Sequence, residues 1–596
     1  MGYSQAMTDV LREARKAKGL TQADVADAVG VSQAQISQWE NGKQEPPEAV
    51  LKKLHKALGI KADAAPAAAA VAPVVASKPA RGKKAAAAPA AGDDVEALPV
   101  GAKLSLDQLE RHLWKAADIL RGSIDSGDYK HYIFGLLFYK RLCDVWAEEY
   151  EARLAEFGDA DMAADPEEHR FDIPAGHSWA DVRKKSHDIG DALNLAFHAI
   201  EDANPRLRGV FQDVDFNNKQ RFPDTMLEKL LQHFERTRLR RVDVEPDMLG
   251  NAYEYLIAKF ADDAGKKGGE FYTPKKVVEL IVECLQPTEG MRIYDPACGS
   301  GGMLLECVHW MERHGKSPKS LSLFGQEKNL NTWAICKMNL FLHDLDDAFI
   351  ERGDTLLDPK HKVREGGKEL QTFDLVLANP PFSLSPWGHD VWSKGDPYGR
   401  DKYGCPPSSY GDLAFVQHMV ASLNGKGRMG VVLPHGVLFR GGAEGAIREG
   451  LLKADLIEGV IGLGPNLFYG TSIPAAVLLL NKNKPPARKG KIVLVNGSDH
   501  VVSGKNQNSL SALNVTTLAA AFGGFKDVER LAKVVTLDEV GKNDFNLNLT
   551  RYVQTAEVEV ALDIAVEVKK LRDLIAQRNE AEATLSSFLK ELGFGS

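Results

Sequence analysis

A chain of 596 residues, 44% hydrophobic and 26% charged, is too long for one core and reads as roughly three or four globular folding units. Its formal net charge of −8 argues against a protein that grips nucleic acid over its whole surface, since neutralising many phosphates calls for a basic one. Any work on DNA must use local basic surface or a partner's. The absence of a run of about 18 apolar residues and of a signal-peptide pattern predicts a cytoplasmic protein with no membrane span. Six cysteines, Cys143, Cys284, Cys298, Cys307, Cys336 and Cys405, lie without CxxC or Cys/His ligand spacing and are expected to be reduced, mostly buried and free of metal.

Residues 1–60 form the first predicted module. Thr21 and Ser32 are good helix N-caps, Gly30 ends one short helix and Asn41-Gly42 another. Val25, Ala26, Val31, Ile36 and Trp39 would share an apolar face, leaving Gln33, Ser37 and Gln38 directed outward. The pattern resembles the helix-turn-helix of phage-repressor-type regulators, in which such residues read base edges in the major groove. A docking module with solvated glutamines is the alternative. Residues 61–100 are Ala- and Pro-rich around the basic insert Lys78-Pro-Ala-Arg-Gly-Lys-Lys84; they offer too little apolar surface to fold and are expected to act as a flexible tether.

Residues 101–243 read as an all-α domain with aromatic anchors at Trp114, Tyr132, Phe134, Phe138, Tyr139 and Trp146. No catalytic constellation stands out there, and His112 and His131 suit packing or the surface better than a ligand role. From 244 to 550 the pattern changes to strand–helix–strand. Apolar runs at 291–294, 321–325, 373–378, 429–433 and 456–461 alternate with helical stretches, and a run at 475–480 follows closely enough to return antiparallel. This predicts an α/β fold with an open, doubly wound sheet, whose ligands lie beyond the C-terminal strand ends. One more strand-like run (492–495), a polar stretch and a helical tail complete the chain.

Four strand ends carry candidate chemistry. Asp295 closes the first strand ahead of Cys298-Gly-Ser-Gly-Gly302; Gly299, Gly301 and Gly302, flanking Ser300, allow a sharp turn and close approach of backbone to a ligand. A dinucleotide fingerprint would open the helix with Gly-x-Gly-x-x-Gly and place its acid about 20 residues later. Here the acid comes first, which favours a nucleoside with a short charged tail. Glu327 ends the next strand, where a carboxylate can accept from both ribose hydroxyls. Asp354, in Arg352-Gly-Asp-Thr, is suited to accept from an adenine amino group. Asn379-Pro380-Pro381-Phe382 follows the strand at 373–378. Adenine N6 is a poor nucleophile because its lone pair is delocalised into the ring. The Asn379 side-chain oxygen and the Pro380 carbonyl can each accept one N6–H bond and turn that lone pair toward an electrophile. The two prolines hold the acceptors in place, and Phe382 offers a face to a base swung out of its helix. A Pro-Pro turn closing a strand is the plain structural alternative.

With these residues in view, 246–495 resembles the amino-methyltransferases, specifically the modification subunits of type I restriction systems. The resemblance implies a DNA adenine-N6 methyltransferase that uses S-adenosylmethionine. It also places Gly269-Glu270-Phe271-Tyr272-Thr273-Pro274-Lys275 on the methionine part of that cofactor. Asp295 and the glycine loop would then lie along the cofactor, with Glu327 on the ribose and Asp354 near the adenine. The helical domain before residue 243 also resembles the family's; the repressor-like module is not part of its usual pattern. In the tail, 551–596, Ile564, Val568, Leu571 and Ile575, then Leu585, Leu589 and Leu592 beyond a polar interruption at 578–580, recur at helix-pairing spacing. Such a stripe packs either on its own catalytic domain or on a partner. The resemblance implies a specificity subunit there, a second modification subunit, double-stranded DNA, and an ATP-dependent restriction subunit in the full complex. Two other functions fit the motifs less well: a self-sufficient methyltransferase reading its own site, and a DNA-binding regulator that senses S-adenosylmethionine. Methylation of a glutamine amide or an RNA amine, often with Tyr in place of Phe382, ranks lower still.

Overall fold

The computed structural model describes residues 105–120, 129–212, 214–244, 246–264, 273–468, 473–504, 507–553 and 564–591, together with Val25, Val31 and Ile36. The chain divides into two compact units, Met1–Gly92 and Asp93–Ser596. In the first, Val25 and Ile36 are helical and buried, and Val31 is half-buried at a bend. Gln33, Ser37, Gln38 and the tether at 61–100 lie outside the described residues.

The second unit opens with helices. In α1 (Leu106–Leu120), Leu109, His112, Leu113, Ala116, Ala117 and Leu120 are buried, the three- and four-residue recurrence that puts one stripe on a core. His112 stacks on His233, ring centroids 4.1 Å apart, a packing role. The helix α2 (Tyr129–Phe157) buries Phe134, Phe138 and Tyr139 against α3 (Ile189–Ala203), α4 (Asp224–Glu235) and α5 (Pro246–Ala264). Phe134 meets Tyr253 of α5 with centroids 4.3 Å apart.

After α6 (Lys275–Leu285) the chain builds a nine-stranded sheet in the order β3-β2-β1-β4-β5-β7-β6-β8-β9. The strands are β1 (Arg292–Asp295), β2 (Ser322–Glu327), β3 (Phe349–Arg352), β4 (Phe373–Ala378), β5 (Leu423–Pro434), β6 (Ile457–Leu463), β7 (Ala475–Asn481), β8 (Lys491–Gly497) and β9 (Ala532–Thr536). β1 to β5 are mutually parallel, with Tyr294 opposite Val376 across the β1–β4 pair. β7 inserts antiparallel between β5 and β6, the expected return of the 475–480 run. Helices cover both faces: α7 (Gly302–Arg313) and α8 (Leu330–Leu342) on one, α9 (Asp412–Ala421) and α10 (Gly442–Lys453) on the other. Side chains alternate accordingly. Ile293, Leu375 and Leu377 enter the core shared with the N-terminal helices, and Tyr294, Val376 and Ala378 the opposite one.

One expectation needs correcting. The stretch after β8 read as polar, yet it contains α11 (Ala512–Gly524) and β9, which pairs antiparallel with β8. Val515, Leu518, Ala521 and Phe522 bury one side of that helix, and Ser511 with Asn514 closes a capping box at its start. The tail is helical as expected: Ile564–Glu591 is one helix, α12, and the polar residues at 578–580 interrupt only its apolar stripe. Its residues 571–587 are exposed, including Leu571, Leu574, Ile575 and Leu585. Among the described residues no helix is long and apolar enough to cross a membrane.

Candidate active site

The sheet reverses direction of winding between β1 and β4, and a crevice opens at such a switch point beyond the strand ends. A cleft of about 700 Å³, open to solvent, occupies it. One wall is the β1–α7 loop, the other the middle of α5 and the start of α6, and Asn379 after β4 reaches in from the side.

The loop's shape follows from its glycines. Gly299 and Gly301 hold φ of +53° and +83°, where a side chain is strained. A Cβ on Gly301 would also stand 3.0 Å from Cys336 Sγ, whereas one on Gly302 would meet nothing, so that backbone faces open space at the mouth of α7. The acids brace the turn. Asp295 Oδ1 accepts from Ala297 N at 3.0 Å. Glu327 accepts from Gly299 N at 3.1 Å and Asn329 N at 2.8 Å, so the β2 acid is tied directly to the loop. Burial pushes the Asp295 carboxyl up to about 8, with nearby Glu327 adding to the rise; burial raises Glu327 as well. Two acids that resist ionising beside each other suit a cationic ligand.

Asn379 is the second focus. Its Nδ2 donates to Thr273 Oγ1 at 2.9 Å, while its Oδ1 is buried with no hydrogen-bond partner among the described residues. Leaving a buried carbonyl oxygen unpaired costs about 1–3 kcal/mol, and such an atom calls for an explanation. Behind it the loop is fixed. Pro380 is buried and Pro381 exposed. Phe382 is half-buried against Phe468, centroids 5.6 Å apart and planes tilted by 60°. Ser383, at φ +52°, donates its N–H to Asp412 Oδ1 at 2.8 Å. Asp412 is fully buried at the start of α9 and faces Arg440, which in turn pairs with Glu444 at 2.6 Å.

The structure thus brings Thr273, Lys275, Asp295, Gly299, Ser300, Gly302 and Asn379 to one cleft. Glu327 reaches it through Gly299. Asp354 does not line it: its carboxylate accepts from Leu356 N at 3.0 Å and Leu357 N at 3.2 Å and pairs with Lys328 at 2.8 Å. Pro274 precedes α6 at its N-cap, and Glu270, Phe271 and Tyr272 lie outside the described residues. Thr273, expected on a cofactor, lines the cleft and also accepts from Asn379 Nδ2. Sequence reading missed two contributors. Glu254 enters the cleft from α5, at the start of the region read as catalytic, where no motif singled it out. Asp412 has the signature of an ordinary acid in a helix's first turn, and only the fold reveals its hold on Ser383.

Comparison with known proteins agrees with these features. The family described as N-6 DNA Methylase matches residues 244–561, the HsdM N-terminal domain matches 109–234, and a helix-turn-helix family matches 11–64. The chain is similar to the type I restriction enzyme MjaVIII methylase subunit of Methanocaldococcus jannaschii, 33% identical over 82% of this chain and 85% of that one. It is 30% identical to the MpnII methylase subunit of Mycoplasma pneumoniae over 81% and 96% of the two chains. Among solved structures, the type I restriction-modification methyltransferase subunit from Streptococcus thermophilus superposes with a TM-score of 0.68 at 32% identity, covering 76% of this chain and all of that one.

Proposed function

The chain belongs to the N-6 DNA methylase family, among the methylase subunits of type I restriction enzymes, and from that premise we propose how its residues divide the work of DNA adenine-N6 methylation. The methyl donor is S-adenosylmethionine, which when bound supplies an electrophilic sulfonium methyl. The β1–α7 loop fits it: the backbone at Gly302 is open to the cleft, and Asp295 and Glu327 offer acidic surroundings to a cation. Glu327 holds the ribose hydroxyls. Asp354, next along the sheet through the Gly353 N to Glu327 O bond of 2.9 Å, lies nearer the adenine.

The observation that carries the reading is the buried, unpartnered Asn379 Oδ1 beside the glycine loop. It accepts one N6–H of an extruded adenine, and the Pro380 carbonyl accepts the other. With both protons held, the N6 lone pair leaves conjugation with the ring and points at the donor. No ionising base is needed before transfer; the surplus proton leaves N6 afterwards to water. Phe382 steadies the base.

The substrate is duplex DNA in the cytoplasm. The exposed apolar residues of α12 dock on a specificity subunit, in an assembly with a second modification subunit that an ATP-dependent restriction subunit completes. Labelled methyl transfer to duplex DNA by the purified chain, with and without its specificity subunit, tests this. Site-specific incorporation only in the presence of the partner is expected. Site-specific incorporation by the chain alone would favour a self-sufficient enzyme, and operator binding without turnover a regulator.

A further inference from the structure

The turn from Cys298 to Gly301 is closed by the bond from Gly301 N to Cys298 O at 2.7 Å, and the glycines on either side of Ser300 hold φ of +53° and +83°. Glycine moves between positive and negative φ at little cost, so the Ser300–Gly301 peptide is free to turn over unless something holds it. Its orientation decides how the Gly301–Gly302 backbone meets the cleft. Glu327 holds only an earlier peptide of the loop, through Gly299 N.

The Ser300 carbonyl is held from beneath the loop. Asn339, fully buried on α8, donates from Nδ2 to Ser300 O at 2.9 Å. The amide has no choice of orientation, since a carbonyl oxygen can only accept. Its own Oδ1 is left buried with no hydrogen-bond partner among the described residues. An unpaired buried acceptor opposes folding, and a leucine would fill the same space without one. Packing therefore does not account for an amide at 339; the bond to Ser300 does. The same helix presses on the next residue of the loop, where a Cβ on Gly301 would stand 3.0 Å from Cys336 Sγ.

We propose that Asn339 is a positioning residue for methyl transfer. By holding the Ser300 carbonyl it locks the Ser300–Gly301 peptide, and so presents the Gly301–Gly302 backbone to the cofactor in one conformation before binding. Asn339 is not among the residues that line the cleft and acts through the loop alone. This inference rests on the proposed use of S-adenosylmethionine.

Two variants of the full-length chain test it. Asn339→Leu keeps the volume and Asn339→Ala empties it, so an effect common to both reports the lost donor. In each, the Kd for S-adenosylmethionine is expected to rise about 3–10-fold, the worth of one neutral hydrogen bond. At saturating cofactor kcat should stay within about twofold of the wild type, because the loss is one of binding. Hydrogen exchange in the ligand-free chain should accelerate in peptides covering 298–303 and remain unchanged in the strands. A Kd within about twofold of the wild type, or exchange that accelerates in loop and strands alike, overturns the assignment. Should Asn339→Leu fail to fold, Asn339→Ala decides by the same criteria. If the wild-type chain binds no S-adenosylmethionine, the cofactor reading itself fails, while the exchange measurement still decides whether Asn339 holds the turn.

Discussion

At the scale of single residues, Asn379 and Asp295 are both held in states that a ligand would relieve. Asn379 keeps an acceptor buried and empty, with its amide oriented by Thr273. Asn379→Ala is expected to lower kcat by about 10²–10³-fold, the usual worth of one preorganised hydrogen-bonding group, with the Kd for S-adenosylmethionine unchanged. Rapid-quench transfer and equilibrium binding separate the two. Asp295 in the unfolded chain loses its proton near pH 3.9, but in the folded protein only at about 8. Its burial therefore has no cost below about pH 4, opposes folding increasingly as pH rises, and does so fully above about 8. A cation beside it reverses the preference, so cofactor binding at pH 7 should release a proton and tighten as pH rises toward 8. Calorimetry in buffers of different ionisation enthalpy measures this, and Asp295→Asn should remove that proton. These residues were legible in the sequence because each stands at a strand end with glycine or proline beside it. The empty oxygen was not, since burial and partner depend on Thr273, 106 positions away.

Among elements, the loop after β4 is rigid because α9 holds its far end. Cutting the Ser383–Asp412 bond with Asp412→Ala leaves the Ser383 N–H unpaired and Arg440 without one of its two acids. The expected outcome is a fall in kcat of about tenfold or more with a smaller change in cofactor affinity, partly restored in Asp412→Asn, whose side-chain oxygen can still accept from Ser383. Equal losses in kcat and cofactor affinity would make the bond structural only. Strand periodicity made most of the sheet readable, including the antiparallel return of β7. It failed at α11 and β9, where Ala, Thr and Gly dilute a modest apolar stripe and tertiary packing decides. The spacing in α12 was readable, but whether its stripe was already covered was not, and the structure leaves Leu571 and Ile575 exposed. Leu571→Glu with Ile575→Glu should abolish co-purification with a specificity subunit while leaving the thermal melt and cofactor binding as they are.

In the whole molecule, the catalytic parts all fall between Glu254 and Asp412 in the second compact unit, and the net charge of −8 fits a chain that leaves much of its DNA grip to a partner. Removing Met1–Gly92 should therefore keep the transfer rate on a short duplex within about twofold. Any effect of the repressor-like module would appear instead as altered occupancy on long DNA. The most direct test of the account is nucleoside mass spectrometry of duplex DNA after reaction with the chain and its specificity subunit. It predicts N6-methyladenine from the wild type and less than about 1% of that amount from Asn379→Ala at equal cofactor occupancy. Methylation at another atom, or undiminished N6-methyladenine from the variant, would contradict it.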